Sequence, residues 1–213
     1  MRSGALGVGG ALHAAALSAK QSGMKVLSIQ SAVTAGHVGN SAAVFALQRL
    51  GVEAWPIDTV HFSNHPGHGA YRGRVSSPAE ITELVDGLAA RGWLGRIDAV
   101  LTGYLGAAEQ GPAIGAVVAR VREANPAALW VLDPVIGDHG LVYVAPGIAA
   151  YLRDVAGPLA DILTPNQFEL AYLTGRKVER RAEALGALEA LVAQGAGDRR
   201  LVVGTGLTLA DGD

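Results

Sequence analysis

Val131-Leu132-Asp133-Pro134-Val135-Ile136-Gly137-Asp138 and Asp161-Ile162-Leu163-Thr164-Pro165-Asn166-Gln167-Phe168-Glu169 are two apolar runs that break, at their carboxyl ends, into Pro and an acid. Runs apolar at successive positions suit strands buried on both faces, as in a parallel sheet. In an open α/β sheet, ligands bind beyond the carboxyl ends of the strands, where strand ends meet helix starts. An acid in that crevice can hold Mg²⁺ against a nucleotide. The two stretches point to an α/β protein that handles a nucleotide.

The flanking sequence repeats the pattern. Val26-Leu27-Ser28-Ile29 reads as a strand ending at Gln30-Ser31, and Asn40 stands where it can cap a helix through about Leu50, stopped by Gly51. Residues 52–57 read as a second strand, followed by a long polar loop over residues 58–76. Ser77-Pro78-Ala79-Glu80 is a helix start with Ser at N-cap, Pro at N1 and Glu at N3. Ile81, Leu84, Val85 and Leu88 then share one helical face, as do Ile114, Val117, Val118 and Val121, and Leu185, Leu188, Leu191 and Val192. Ala99-Val100-Leu101 is a strand ending at Thr102-Gly103-Tyr104, and Leu201-Val202-Val203 ends at Gly204-Thr205-Gly206. The alternation predicts one domain over residues 24–213, a mostly parallel sheet with helices on both faces. Ser31, Tyr104, Asp133, Thr164 and Thr205 then lie just past the ends of different strands and share one edge.

Composition narrows the function. The chain of 213 residues is half apolar and only 17% charged, which suits a sizeable core rather than disorder. The net charge of −2 provides no basic footprint for nucleic acid, so no nucleic-acid partner is expected. Without cysteine there is no disulfide framework, thiolate metal site or cysteine nucleophile. No apolar run is long enough to span a bilayer, so no membrane partner is expected. Residues 1–23, small and Gly-rich at first and then mostly Ala and Leu, read as a disordered extension, with Met24 as the natural start. A signal peptide suits them poorly, since the glycines dilute its apolar centre.

Each candidate site also has a plain structural reading. The segment from Ile29 to Asn40 joins strand to helix, and its glycines allow close backbone approach to a ligand. It lacks the Gly-Lys-Ser/Thr of a phosphate loop, and an ordinary turn capped by Asn40 fits equally well. His61, His65 and His68 suggest zinc by spacing, but Pro66, Gly67 and Gly69 bar a helix there, so a polar flap is the preferred reading. Asp133 either orients Mg²⁺-bound water or serves as a turn residue. Residues 137–140 read as a mobile loop. Asn166 and Glu169 form a capping-box pair, a role compatible with Glu169 also positioning Mg²⁺ waters.

Six segments occur in order: Ile29-Gln30-Ser31, Gly36-His37-Val38-Gly39-Asn40, Phe62-Ser63-Asn64-His65, Thr102-Gly103-Tyr104-Leu105-Gly106, Asp133-Pro134-Val135 and Thr164-Pro165-Asn166-Gln167-Phe168-Glu169. Together, over nearly all of residues 24–213, they resemble the pyridoxal kinases of the ribokinase-like superfamily. The resemblance implies a three-layer α/β/α sandwich and ATP-dependent phosphorylation of the 5′-hydroxymethyl group of pyridoxal in a cytoplasmic homodimer. It implies that Ser31 bonds the pyridine side of the substrate, that Val38 and Tyr104 pack on the ring, and that His65, Pro66 and Gly67 border the pocket. Tyr143 falls in a stretch resembling a flap over the site. Asp133, Thr164, Glu169 and Thr205 fall on the ATP side, with Asp133 and Glu169 acting on Mg²⁺ mainly through water. Two departures stand out. Pro66 replaces a Thr of some relatives, which removes a hydroxyl. The Gly-x-Gly-Asp segment that carries the family's general base is expected beyond residue 213; Gly204-Thr205-Gly206 with Asp211 or Asp213 is rejected as a substitute, because no helix pattern follows. Hydroxymethylpyrimidine kinase, and a non-catalytic binder of vitamin B6 or nucleotide, remain as alternatives.

Overall fold

The computed structural model describes residues 23–210. The expected N-terminal extension, Gly23 apart, and Asp211 and Asp213 lie outside those residues. Among the described residues nine strands form: β1 (Lys25–Ala35), β2 (Glu53–Asn64), β3 (Gly73–Val75), β4 (Ala99–Thr102), β5 (Leu129–Leu132), β6 (Gly137–Asp138), β7 (Leu141–Val142), β8 (Ile162–Leu163) and β9 (Leu201–Val202). Seven make one sheet in the order β3-β2-β1-β4-β5-β8-β9, parallel throughout except for β3 against β2. The mostly parallel α/β architecture matches the sequence reading. The helices are α1 (Asn40–Arg49), α2 (Pro78–Ala90), α3 (Gln110–Ala124), α4 (Ile148–Tyr151, continuing through a π-turn at Leu152–Ala156 into Gly157–Leu159), α5 (Gln167–Thr174) and α6 (Arg181–Ala193). From β1 the chain steps one way to β2, then the other way through β4, β5, β8 and β9. Right-handed crossovers therefore put α1 on one face, and α2 and α3 on the other, where they pack together. Among the described residues no helix is long and apolar enough to cross a membrane.

The core lies between the sheet and α2–α3. Val100, Trp130, Leu132 and Leu163 meet Ile81, Val85, Ile114 and Val117, all nearly inaccessible to solvent. Each such side chain contributes about 2 kcal/mol by leaving water. Leu84 is the exception on its expected face, at 57% exposure, since it is rotated off the Ile81–Val85 line. On α6 the buried line is Ala184, Ala187 and Leu191, while Leu185 and Val192 are exposed. Small residues let that helix sit close, so a count of leucines pointed to the wrong stripe.

Four other expectations need correction. β1 does not stop at Gln30-Ser31. It runs eleven residues to Ala35, with a register shift between Gln30 and Ala32, so Ser31 sits in a bulge. β2 likewise runs through the supposed polar loop, because Val60 and Phe62 alternate inward while His61 and Ser63 face out. Asn40 does not cap α1: Gly39 occupies that position at φ 53, and the Asn40 side chain turns into the core. The expected mobile loop at residues 137–140 is a hairpin, β6–β7, whose turn residues His139 and Gly140 have φ 49 and 82. That left-handed pair is the geometry a two-residue hairpin turn requires.

Candidate active site

The carboxyl ends of the strands surround a cavity of about 540 Å³. Every residue expected on the substrate side lines it. Ser31 comes from the β1 bulge, Val38 from the turn before α1, and His65, Pro66 and Gly67 from the arm after β2. Tyr104 follows β4, Asp133 follows β5, and Tyr143 follows the β6–β7 hairpin. Gly39 is required for this convergence. A Cβ there would collide with the Ser31 carbonyl oxygen and hydroxyl, and its φ is left-handed. Ser31 thus packs against the Gly39 main chain while lining the cavity.

Several hydrogen bonds shape the arm. The His65 ring accepts at Nδ1 from the Gly67 N–H at 3.1 Å and caps the short 3₁₀ turn Pro66–His68. That turn is more helical than Pro66 and the two glycines suggest. The Asn64 amide donates to the His65 and Ala70 carbonyls, closing the arm on itself. The Phe62 and Tyr71 rings pack tilted, with centroids 4.6 Å apart. Of the three histidines, His61 bonds Thr34 at 3.2 Å and lies 3.4 Å from Asp58, while the rings of His65 and His68 meet edge-on with centroids 5.9 Å apart. Among the described residues no group of three possible metal ligands occurs.

The residues expected on the nucleotide side form a connected rim. Thr164 donates to Asp133 Oδ1 at 3.1 Å, and Thr205 donates to the Thr164 carbonyl at 3.4 Å. Glu169 does not line the cavity. It is 3% exposed, with Oε1 accepting from the Ile136 N–H at 3.0 Å and Oε2 from the Asn166 N–H at 2.9 Å. Asn166 returns the bond, accepting from the Glu169 N–H at 2.8 Å, so the capping box is formed. Asn166 also donates to the Gly137 carbonyl at 2.9 Å. The pair therefore clamps the turn after Asp133 to the start of α5, a double duty that spacing alone could not reveal.

Burial pushes the Glu169 carboxyl up to about 7; the N–H groups of Asn166 and Ile136 oppose the rise and the charge of Asp133 adds to it. Asp133 is also raised by burial, against the Thr164 hydroxyl. The Tyr143 phenol is pushed up to about 12 by burial and by the neighbouring charges of Glu169, Asp138 and Asp133. Among the described residues no Lys or Arg lines the cavity. Asp133 and Asp138 thus line the cavity without a Lys or Arg partner there, a setting that favours a bound cation.

Sequence reasoning missed three features. Gln30 is 7% exposed and lines the cavity floor. Asn40, 5% exposed, bonds Ser28, the Gln30 and Ile57 carbonyls and Asp58. Gln110, fully buried, donates to the Thr59 and Ser76 carbonyls and accepts from the Gly106 N–H, tying β2, the start of α2 and the turn after β4 together. The available signal was a lone amide side chain in each segment, which is ambiguous without coordinates.

Comparison with known proteins is consistent with this geometry. A family model described as phosphomethylpyrimidine kinase matches residues 93–211, more than half of the chain. The curated pyridoxal kinase PdxY of Rubrobacter xylanophilus is 52% identical over 176 residues, covering 82% of this chain and 61% of that protein. The Deinococcus radiodurans pyridoxal kinase PdxY is 54% identical over 167 residues, covering 78% and 56%. A pyridoxal kinase from Leishmania donovani, solved with ADP and pyridoxamine, matches with a TM-score of 0.75 at 38% identity, covering 80% of this chain and 59% of its own. The chain thus spans about three fifths of the length of the curated relatives it matches. On the family model over more than half of its length and on relatives about 50% identical, the chain belongs to the phosphomethylpyrimidine kinase family, and the relatives it resembles are pyridoxal kinases.

Proposed function

We propose that the protein transfers the γ-phosphoryl group of ATP to the 5′-hydroxymethyl oxygen of pyridoxal, giving pyridoxal 5′-phosphate and ADP. One observation carries the reading: residues from six separate segments converge on a single cavity of about 540 Å³, a suitable volume for a small heteroaromatic ligand. The Ser31 hydroxyl bonds the pyridine side, and Val38 and Tyr104 pack on the ring. His65, Pro66 and Gly67 wall the pocket, and Tyr143 covers it from the hairpin. Asp133, Thr164, Glu169 and Thr205 serve the nucleotide. The relative from Leishmania solved with ADP and pyridoxine supports both ligand classes.

Positioning and charge stabilisation dominate phosphoryl transfer. Mg²⁺ fits the rim at Asp133, a carboxyl that lines the cavity with no Lys or Arg beside it among the described residues; Asp133, with Glu169 behind it, would hold it mainly through water, and it would supply charge neutralisation at the phosphates. Asp133, steadied by Thr164, orients the nucleotide side. The hydroxyl oxygen attacks the γ-phosphorus, the bond to the β–γ bridging oxygen breaks, and the hydroxyl proton passes to a base. By the resemblance that base is the Asp of a Gly-x-Gly-Asp segment, worth about 10²–10⁴-fold in rate. Cytoplasmic location and a homodimer, both implied by the resemblance, belong to the same reading; cell fractionation and sedimentation test them.

The decisive experiment measures pyridoxal 5′-phosphate formation with ATP and Mg²⁺, for the 213-residue chain and for a version extended to the length of its relatives. Activity in the extended protein supports the reading, and its absence there refutes it. Hydroxymethylpyrimidine, offered in competition, tests the second reading that the family description favours. Ligand binding without turnover in the extended protein would mark a non-catalytic binder.

A further inference from the structure

A chain of buried hydrogen bonds beneath the cavity has only one consistent direction. The Asn40 Nδ2 faces three acceptors that carry no hydrogen: the Gln30 carbonyl at 3.3 Å, the Ile57 carbonyl at 3.1 Å and Asp58 Oδ1 at 2.8 Å. A flipped amide would set oxygen against oxygen at all three. Asn40 Oδ1 therefore points the other way, to the Ser28 hydroxyl at 2.7 Å, and Ser28 must donate to it. With its one hydrogen used, the Ser28 oxygen can only accept from its next neighbour, Gln30 Nε2, at 2.9 Å. The Gln30 carboxamide is fixed in turn. Its nitrogen faces Ser28, and its oxygen is left over.

That oxygen has no protein donor among the described residues, although Gln30 is 7% exposed and lines the cavity. Room for it depends on Gly103, where a Cβ would stand 2.9 Å from Gln30 Oε1. The oxygen therefore keeps its accepting capacity for whatever fills the cavity that Gln30 lines. A ligand that reaches it without a donor would strip it of water and leave it unpaired, at a cost on the order of 1–3 kcal/mol. Ser28 and Asn40, both buried, reach no ligand themselves; they are positioning residues that set the polarity of Gln30.

We propose that Gln30 Oε1 is a specificity-determining acceptor at the cavity floor, locked in orientation by Ser28 and Asn40, and that it selects heteroaromatic ligands presenting an O–H or N–H donor to it. The proposal rests on the vitamin-site reading above and adds a residue and a selection rule to it. Ligands that offer only an acceptor at that point are refused, because the carboxamide cannot turn without opposing the Ser28 oxygen.

Isothermal titration of the extended protein tests this with pyridoxine and two probes that each lack one hydroxyl donor, 3-O-methylpyridoxine and 4-deoxypyridoxine. Gln30→Met should weaken pyridoxine binding about tenfold to a hundredfold, while one of the two probes, already weakened in the wild type, changes by less than about twofold. Ser28→Ala, which frees the carboxamide to turn, should narrow the difference between pyridoxine and that same probe. In ¹⁵N–¹H spectra it should also remove the slow exchange of the Gln30 side-chain amide, a readout that a packing role would not move. Should Gln30→Met fail to fold, the Ser28→Ala arm decides. Equal losses for all three ligands, or no loss for any, with the wild type binding pyridoxine normally, would overturn the role of Gln30 alone. A wild type that does not bind pyridoxine would overturn the vitamin-site reading and this inference with it.

Discussion

Glu169 should make the protein less stable as the pH rises, in the absence of Mg²⁺ and nucleotide. Its carboxyl is raised from 4.5 to about 7 in the folded state, mainly by burial at 3% exposure. The native state therefore holds a proton that the unfolded chain releases at lower pH. Stability from this group is complete below pH 4.5 and is lost progressively up to about pH 7, where the native carboxyl finally ionises. The displacement corresponds to about 3 kcal/mol, a large fraction of a typical domain's stability. Urea denaturation at 25 °C in EDTA, repeated between pH 4.5 and 8, measures it, with Glu169→Gln as the reference. The variant loses a backbone acceptor and starts less stable, so the slope against pH is the quantity to compare. The wild-type curve should fall relative to the variant by about 3 kcal/mol across the window. Parallel curves would refute the argument that burial governs this carboxyl. Adding MgATP above pH 7 should restore part of the loss, since a cation favours the ionised form.

Three further outcomes follow from the same coordinates. Gly39→Ala should cost about 3 kcal/mol or more and abolish ligand binding, because its φ is left-handed and the new Cβ meets Ser31; an unchanged melting temperature would contradict the model of the turn. Ser77→Ala removes the hydroxyl that caps α2, for a loss of about 1 kcal/mol and a fall in Tm of about 2–4 °C by calorimetry, with pyridoxal affinity unaltered. Gln110→Met should cost about 2–5 kcal/mol in chemical denaturation, since four main-chain groups lose their partner at once, and a loss under about 1 kcal/mol would show that water replaces it.

Much of the fold could be read along the chain, because the relevant signals are local. The Ser77 and Asn166 caps act over three residues, and both capping boxes form as expected. The apolar runs at 99–101, 129–132 and 162–163 fall in strands, and the parallel order follows from their alternation with helices. Strand lengths were harder to read. The outer halves of β1 and β2 look polar in sequence, yet their alternate residues face the cavity wall and pair across a bulge.

Side-chain chemistry at a strand end depends on neighbours from other segments. Asn40 looked like a cap because capping is the commonest local use of that residue type, but the deciding partners, Ser28, Ile57 and Asp58, come from two different strands. Glu169 looked like an optional ligand, and folding made it a clamp between two turns. Local hydrogen bonding and periodicity set the elements and their order, since both are written within a few residues. The direction of the Gln30 carboxamide, the raised Glu169 carboxyl and the shared cavity wall arise from burial and from groups far apart in the chain, which acquire those properties only when the sheet brings them together.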